Sequence, residues 1–152
     1  MTPVYSTLDQ GYDFFVSDKW KRNYHFKILS FHVPSGLLSN AIEVVKEKDR
    51  EPYIFNVLSD IDEEKSESEI LLKHKIRDGI NKRFLKYENG KFEMRDEGRL
   101  SGRIEWTDEL NDSYFDLFLI VDGKRVTIEN FVHMLNPYFG FNFDFEIRDP
   151  SD

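Results

Sequence analysis

The chain has 152 residues, 39% hydrophobic and 33% charged, and its 14 Phe, 7 Tyr and 2 Trp concentrate apolar surface in a few large side chains. That length fits one domain whose core needs no covalent staple, and the aromatic content argues against global disorder. Cysteine is absent, which excludes disulfides and thiolate chemistry, while a formal net charge of -8 disfavours nucleic acid and anionic membrane and favours a basic protein as partner.

The N-terminal residues show no basic segment followed by an apolar core, and no apolar run approaches the roughly 20 residues that span a bilayer, so a cytoplasmic protein without a membrane segment is expected. Residues 1–20, with Pro3 and Gly11, read as a loosely ordered lead-in anchored by Phe14, Phe15 and Trp20. Tyr24 to Val33 is dense in aromatic and β-branched residues and predicts a strand ending at the turn Pro34-Ser35-Gly36. Two readings compete over residues 37–47. Leu37, Leu38, Ala41, Ile42 and Val45 match helical spacing, whereas β-branched Ile42, Val44 and Val45 and the loop Asp49-Arg50-Glu51-Pro52 favour a hairpin into a strand from Tyr53 to Leu58.

From Ser66 the signal is helical. Ser66 and Glu69 have capping-box spacing, acidic residues crowd the start, Lys82, Arg83 and Lys86 crowd the end, and Leu72, Ile76, Ile80 and Phe84 form an apolar stripe. Gly79 inside this helix marks a close contact. Asn89-Gly90 between two short apolar-polar runs predicts a tight hairpin, and Arg99 to Thr107 a further strand with Ile104 and Trp106 on one face. Tyr114 to Val121 predicts a strand closed by Asp122-Gly123. Thr127 then caps a short helix with Ile128, Phe131, Val132 and Leu135 as its stripe, ended by Pro137 and Gly140. Phe141, Phe143, Phe145 and Ile147 alternate with Asn142, Asp144, Glu146 and Arg148, which predicts a closing strand with one buried face.

The expected fold is a single α+β domain over residues 1–152: a mainly antiparallel sheet of about seven strands with one long and one short helix packed on one face. Gly102-Arg-Ile-Glu-Trp106, the strand ending in Val121-Asp122-Gly123, the short amphipathic helix and the closing Gly140 to Asp149 together resemble the C-terminal half of an uncharacterised bacterial domain family. The resemblance implies an α+β layout and a bacterial source. It brings no activity.

Candidate chemistry is sparse. Asp60, Asp62 and Glu64 alternate like the oxygen ligands of a calcium loop, but Lys65 stands where the loop needs Gly and Leu71 where it needs a bidentate Glu, so the cluster reads as helix capping. Asp122-Gly123-Lys124 after an apolar strand has the form of a nuclease metal element, with Asp108, Asp112 or Asp116 as the second carboxylate; Asp-Gly is equally what a tight turn demands. The catalytic candidates are thus Asp116, Asp122 and Lys124. His25, His32, His74 and His133 show no zinc spacing, and no cofactor fingerprint is present. The favoured function is a non-enzymatic interaction or regulatory module that meets a basic partner through Asp60, Asp62, Glu63, Glu64 and Glu67. The alternatives are a metal-dependent phosphodiesterase and an acidic inhibitor or immunity-type protein. The charged outer row of the closing strand leads to a monomer or weak homodimer.

Overall fold

The computed structural model describes residues 11–95, 97–107 and 117–152. The chain divides into two compact units, Met1–Lys46 with Pro52–Asn81 and Glu146–Asp152, and Glu47–Glu51 with Lys82–Phe145.

In the first unit β1 (Tyr12–Ser17), β2 (Asn23–Val33), β3 (Gly36–Glu43) and β4 (Ile54–Ser59) form an antiparallel sheet in chain order, covered by helix α1 (Lys65–Ile80). Part of the expected lead-in is therefore a strand. Tyr12, Phe14 and Val16 pack on the core while Asp13, Phe15 and Ser17 face solvent, the alternation that makes an outer strand worth ordering. Asp18 organises the β1–β2 turn: one carboxylate oxygen accepts from the backbone of Trp20 and Arg22 and the other from the Tyr24 hydroxyl, all at 2.9 Å.

Residues 36–43 form a strand, and Leu37, Ser39 and Ala41 point inward at period 2 while Ile42 is exposed. The hairpin reading holds. The core joins Tyr24, Phe26, Ile28 and Ala41 to Leu72, Ile76 and Ile80 of α1, and Phe26, Ile28, Leu72, Ile76 and Ile80 each contribute about 1.5–3 kcal/mol by leaving water. The helical stripe stops there, because the helix ends at Ile80 and Phe84 packs in the second unit. The capping box is not formed: α1 begins at Lys65, Glu64 is its N-cap without a side-chain bond, and Glu69 is buried. Gly79 is the close contact expected, since a Cβ there would lie 2.5 Å from the Phe55 ring.

The second unit holds the hairpin β5 (Leu85–Glu88) and β6 (Lys91–Met94), then a sheet ordered β7 (Arg103–Trp106), β8 (Leu117–Val121), β9 (Lys124–Thr127), then helix α2 (Ile128–Met134) and a 3-10 turn, Asn136–Tyr138. Both hairpin turns have two left-handed residues, Asn89 and Gly90 at φ 54° and 78°, Asp122 and Gly123 at φ 55° and 74°. Such turns match the twist of the strands they join. The Thr127 hydroxyl accepts from the Asn130 N–H at 3.0 Å, capping α2 as expected, and the Asn130 amide pairs with both backbone groups of Phe92. The buried side of α2 differs from the expected stripe. Met134 is fully buried and Ile128 and Phe131 half-buried, while Val132 and Leu135 are exposed, because the face that meets β6, β8 and β9 runs 128–131–134.

The expected closing strand is not formed. Residues 141–149 pair with no described strand, and Phe141, Phe143, Phe145 and Ile147 are 69%, 85%, 72% and 64% exposed. Alternation specifies which face a strand would bury; it supplies no partner edge. The α+β class, the antiparallel pairing and the long and short helices are as expected, but nine strands in three sheets replace a sheet of about seven among the described residues.

Candidate functional site

The β4–α1 connection and the outward face of α1 carry most of the sequence-predicted partner residues. Asp60, Asp62, Glu64 and Glu67 are exposed and Glu63 is half-buried, and a shallow groove of about 480 Å³ runs between Asp60 to Glu63 and the β2–β3 turn at Pro34 to Gly36. A side-chain hydrogen bond with Glu67, helped by the charges of Asp60 and Glu64, raises the Glu63 carboxyl above its ordinary value. Neighbouring carboxylates disfavour each other's ionised form. Further along the same face Ile70 and Leu71 are 55% and 56% exposed, followed by exposed His74 and Asp78. Glu67, Ile70, Leu71, His74 and Asp78 follow i, i+3, i+4, i+7 and i+11, so α1 carries an apolar stripe on its sheet side and on the other an exposed aliphatic pair with Glu67 one turn before it and His74 one turn after.

Sequence reading placed the acids but missed Ile70 and Leu71. Their run with Leu72 hid the fact that one helix cannot turn three consecutive residues to one side. No group of three or more metal-ligating side chains converges among the described residues.

Asp122 occupies the first left-handed position of the β8–β9 turn, and its Oδ2 accepts from the N–H groups of Phe84 at 2.9 Å and Leu85 at 2.8 Å. Burial raises its pKa, opposed by those two bonds and by the charges of Arg83 and Arg95. Its carboxylate fastens the start of β5 to the turn. Lys124 follows on β9. Asp108, Asp112 and Asp116 lie outside the described residues, so the second carboxylate of the nuclease reading has no described position.

Polar groups that sequence spacing did not reveal form a buried chain between the first sheet and α1. Ser30 and Ser39, opposite each other on β2 and β3, share a 2.7 Å hydrogen bond, Ser39 reaches Ser68 at 2.9 Å, and Glu69 accepts from Ser30 at 3.0 Å and from the Tyr12 hydroxyl at 2.9 Å. Ser30, Ser39 and Ser68 are wholly buried, which closes them to a substrate and makes this a satisfied core network. Among the histidines, His25 lies 2.9 Å from Asp13 and stacks on Phe15, and its hydrogen bond is the main cause of a lowered Asp13 pKa. His133 meets Glu93 at 2.9 Å on the wall of a shallow groove with Lys86, Glu88 and Tyr138. Among the described residues, no serine or threonine lines that groove.

A family model described as a domain of unknown function, DUF7686, matches residues 9–81, and a second, DUF7713, matches residues 84–152. The uncharacterised family expected for the C-terminal half is thus found, with a second over the N-terminal half. No curated protein and no solved structure matches the chain. Among the described residues, no helix is long and apolar enough to cross a membrane.

Proposed function

We propose that this protein is a non-enzymatic, cytoplasmic interaction module that binds a basic protein partner through the outward face of α1 and the acidic loop before it. The observation that carries the reading is the exposed pair Ile70 and Leu71 on the outward face of α1, one turn after exposed Glu67 and beyond the acidic loop of residues 60–64. Adjacent aliphatic side chains at more than half exposure on a regular helix supply an apolar centre, and the acids supply a charged rim, the anatomy of a protein-binding patch. The crowding that raises the Glu63 pKa also favours a cationic partner, because a lysine or arginine brought alongside replaces repulsion by attraction. In a narrower form the partner is a basic toxin or nuclease whose nucleic-acid surface is occupied by these acids.

The test is affinity capture with the wild-type chain and with the double substitution Ile70→Glu, Leu71→Glu, which exchanges only exposed side chains. The wild type recovers a basic partner that elutes as salt rises, and the variant, equally folded by circular dichroism, loses it. Equal recovery by both chains would sink the proposal.

A further inference from the structure

The two family segments and the two compact units do not share boundaries. The segment matched over residues 9–81 places its residues 47–51 in the second unit, and the segment matched over 84–152 places its residues 146–152 in the first. Both excursions are fastened. The β3–β4 hairpin closes where the Glu43 N–H donates to the Tyr53 carbonyl at 2.9 Å and the Tyr53 N–H to the Glu43 carboxylate at 3.2 Å, so residues 44–52 loop out beyond that base. Near the end of the loop the Glu51 N–H donates to the Gly123 carbonyl of the β8–β9 turn at 2.8 Å, and the Glu51 carboxylate accepts from Arg125 of β9 at 2.9 Å. Arg50 is 9% exposed, and its Cγ would lie 3.3 Å from a Cβ built on Gly123, so the loop is seated against that turn rather than held out in water.

The second excursion ends in a turn of its own. Asp149 accepts from the Ser151 N–H at 2.9 Å and the Ser151 hydroxyl at 2.6 Å, and the Asp152 N–H donates to the Asp149 carbonyl at 3.0 Å. The Pro150 and Asp152 carbonyls meet half-buried Lys75 of α1, whose ammonium donates to them at 3.2 and 2.8 Å and to the Asn56 carbonyl of β4 at 2.7 Å. An ammonium has three donors, and here each finds a carbonyl in a charge-assisted bond.

We propose that the two family segments are mutual partners, each completed by a strap from the other: residues 47–51 of the first clip onto the β8–β9 turn, and residues 146–152 of the second clip onto Lys75. Once one strap is seated the other binds as an intramolecular step, so two modest contacts hold far better than either alone. The partner that fits either segment is therefore the other segment, recognised by a left-handed Asp-Gly turn in one direction and by a half-buried ammonium in the other. This pairing does not rest on a partner at the outward face of α1.

The test uses the whole chain with a protease recognition sequence inserted between Lys82 and Arg83, in the connection between the two segments. After cleavage the wild-type pieces are expected to elute together at low micromolar concentration, with the Glu51 amide as protected from hydrogen exchange as before the cut. Arg50→Ala and Lys75→Met, introduced one at a time and checked for folding before cleavage by circular dichroism, are each expected to raise the dissociation constant of the cleaved pieces at least tenfold. The exchange measurement needs no substitution, so it decides the matter even where a variant fails to fold. Three results overturn the proposal: wild-type pieces that separate, a Glu51 amide that exchanges in the uncut chain as fast as in an unfolded peptide, or variant pieces that hold as tightly as the wild type.

Discussion

Replacing Asp122 by alanine or asparagine separates a structural carboxylate from a catalytic one. The Asp122 side chain accepts two backbone hydrogen bonds, at 2.9 and 2.8 Å, from a left-handed residue at φ 55°. Alanine removes both bonds, leaving Phe84 and Leu85 N–H groups unpaired at about 1–3 kcal/mol together after partial hydration. The left-handed backbone adds about 1–2 kcal/mol for a residue with no local polar side chain. Relief of the buried charge offsets part of this, so Asp122→Ala is expected to cost about 2–4 kcal/mol. Asparagine keeps an acceptor oxygen and tolerates the backbone, so its effect is small, and its sign depends on pH. Burial raises the Asp122 pKa in the folded chain, which therefore holds more protons than the unfolded chain from the unfolded value of 3.8 up to the folded one. Stability from this group falls as pH rises through that window. Asp122→Asn is thus expected to match the wild type below the window and to exceed it at neutral pH. Urea titrations at acid and neutral pH, with amide exchange read at Phe84 and Leu85, measure both effects. Alanine and asparagine variants of equal stability, or a wild type that gains on asparagine as pH rises, would refute the reasoning.

Gly79→Ala is expected to destabilise by about 1–3 kcal/mol despite alanine's better helix propensity, because its methyl meets the Phe55 ring; a melting series should show Phe55→Leu recovering most of the loss. Glu69→Ala leaves the Ser30 and Tyr12 hydroxyls without their shared acceptor and is expected to cost about 2–3 kcal/mol, with Glu69→Gln milder, by chemical denaturation. Gly90→Ala places a methyl-bearing residue at φ 78° in the β5–β6 turn and is expected to cost about 1 kcal/mol, read as faster amide exchange in that hairpin.

Signals that are local in the chain were legible and those requiring a partner were not. Asn89-Gly90 and Asp122-Gly123 announced their turns because the left-handed backbone selects residue types directly, and Thr127 announced a helix start because its hydroxyl bonds three residues on. Tyr12, Phe14 and Val16 carried their alternation openly, but Gly11 and the polar neighbours outweighed it. The closing segment failed in the opposite sense, with a strong alternation and no pairing to any described strand. Of the candidate site, the acids of residues 60–67 were visible as composition. Ile70 and Leu71 became informative only once Leu72, Ile76 and Ile80 had fixed which side of α1 meets the sheet. Glu69 and the buried serines pair across distances that spacing does not encode.

The central claim, a partner held on the outward face of α1, is tested most directly by mapping backbone amide shifts while the captured basic protein is titrated in. The account predicts that perturbations concentrate on residues 60–64 and on Glu67, Ile70, Leu71 and His74, and that they fade as salt rises. Perturbations centred on Asp122 and Lys124, with α1 silent, would contradict it.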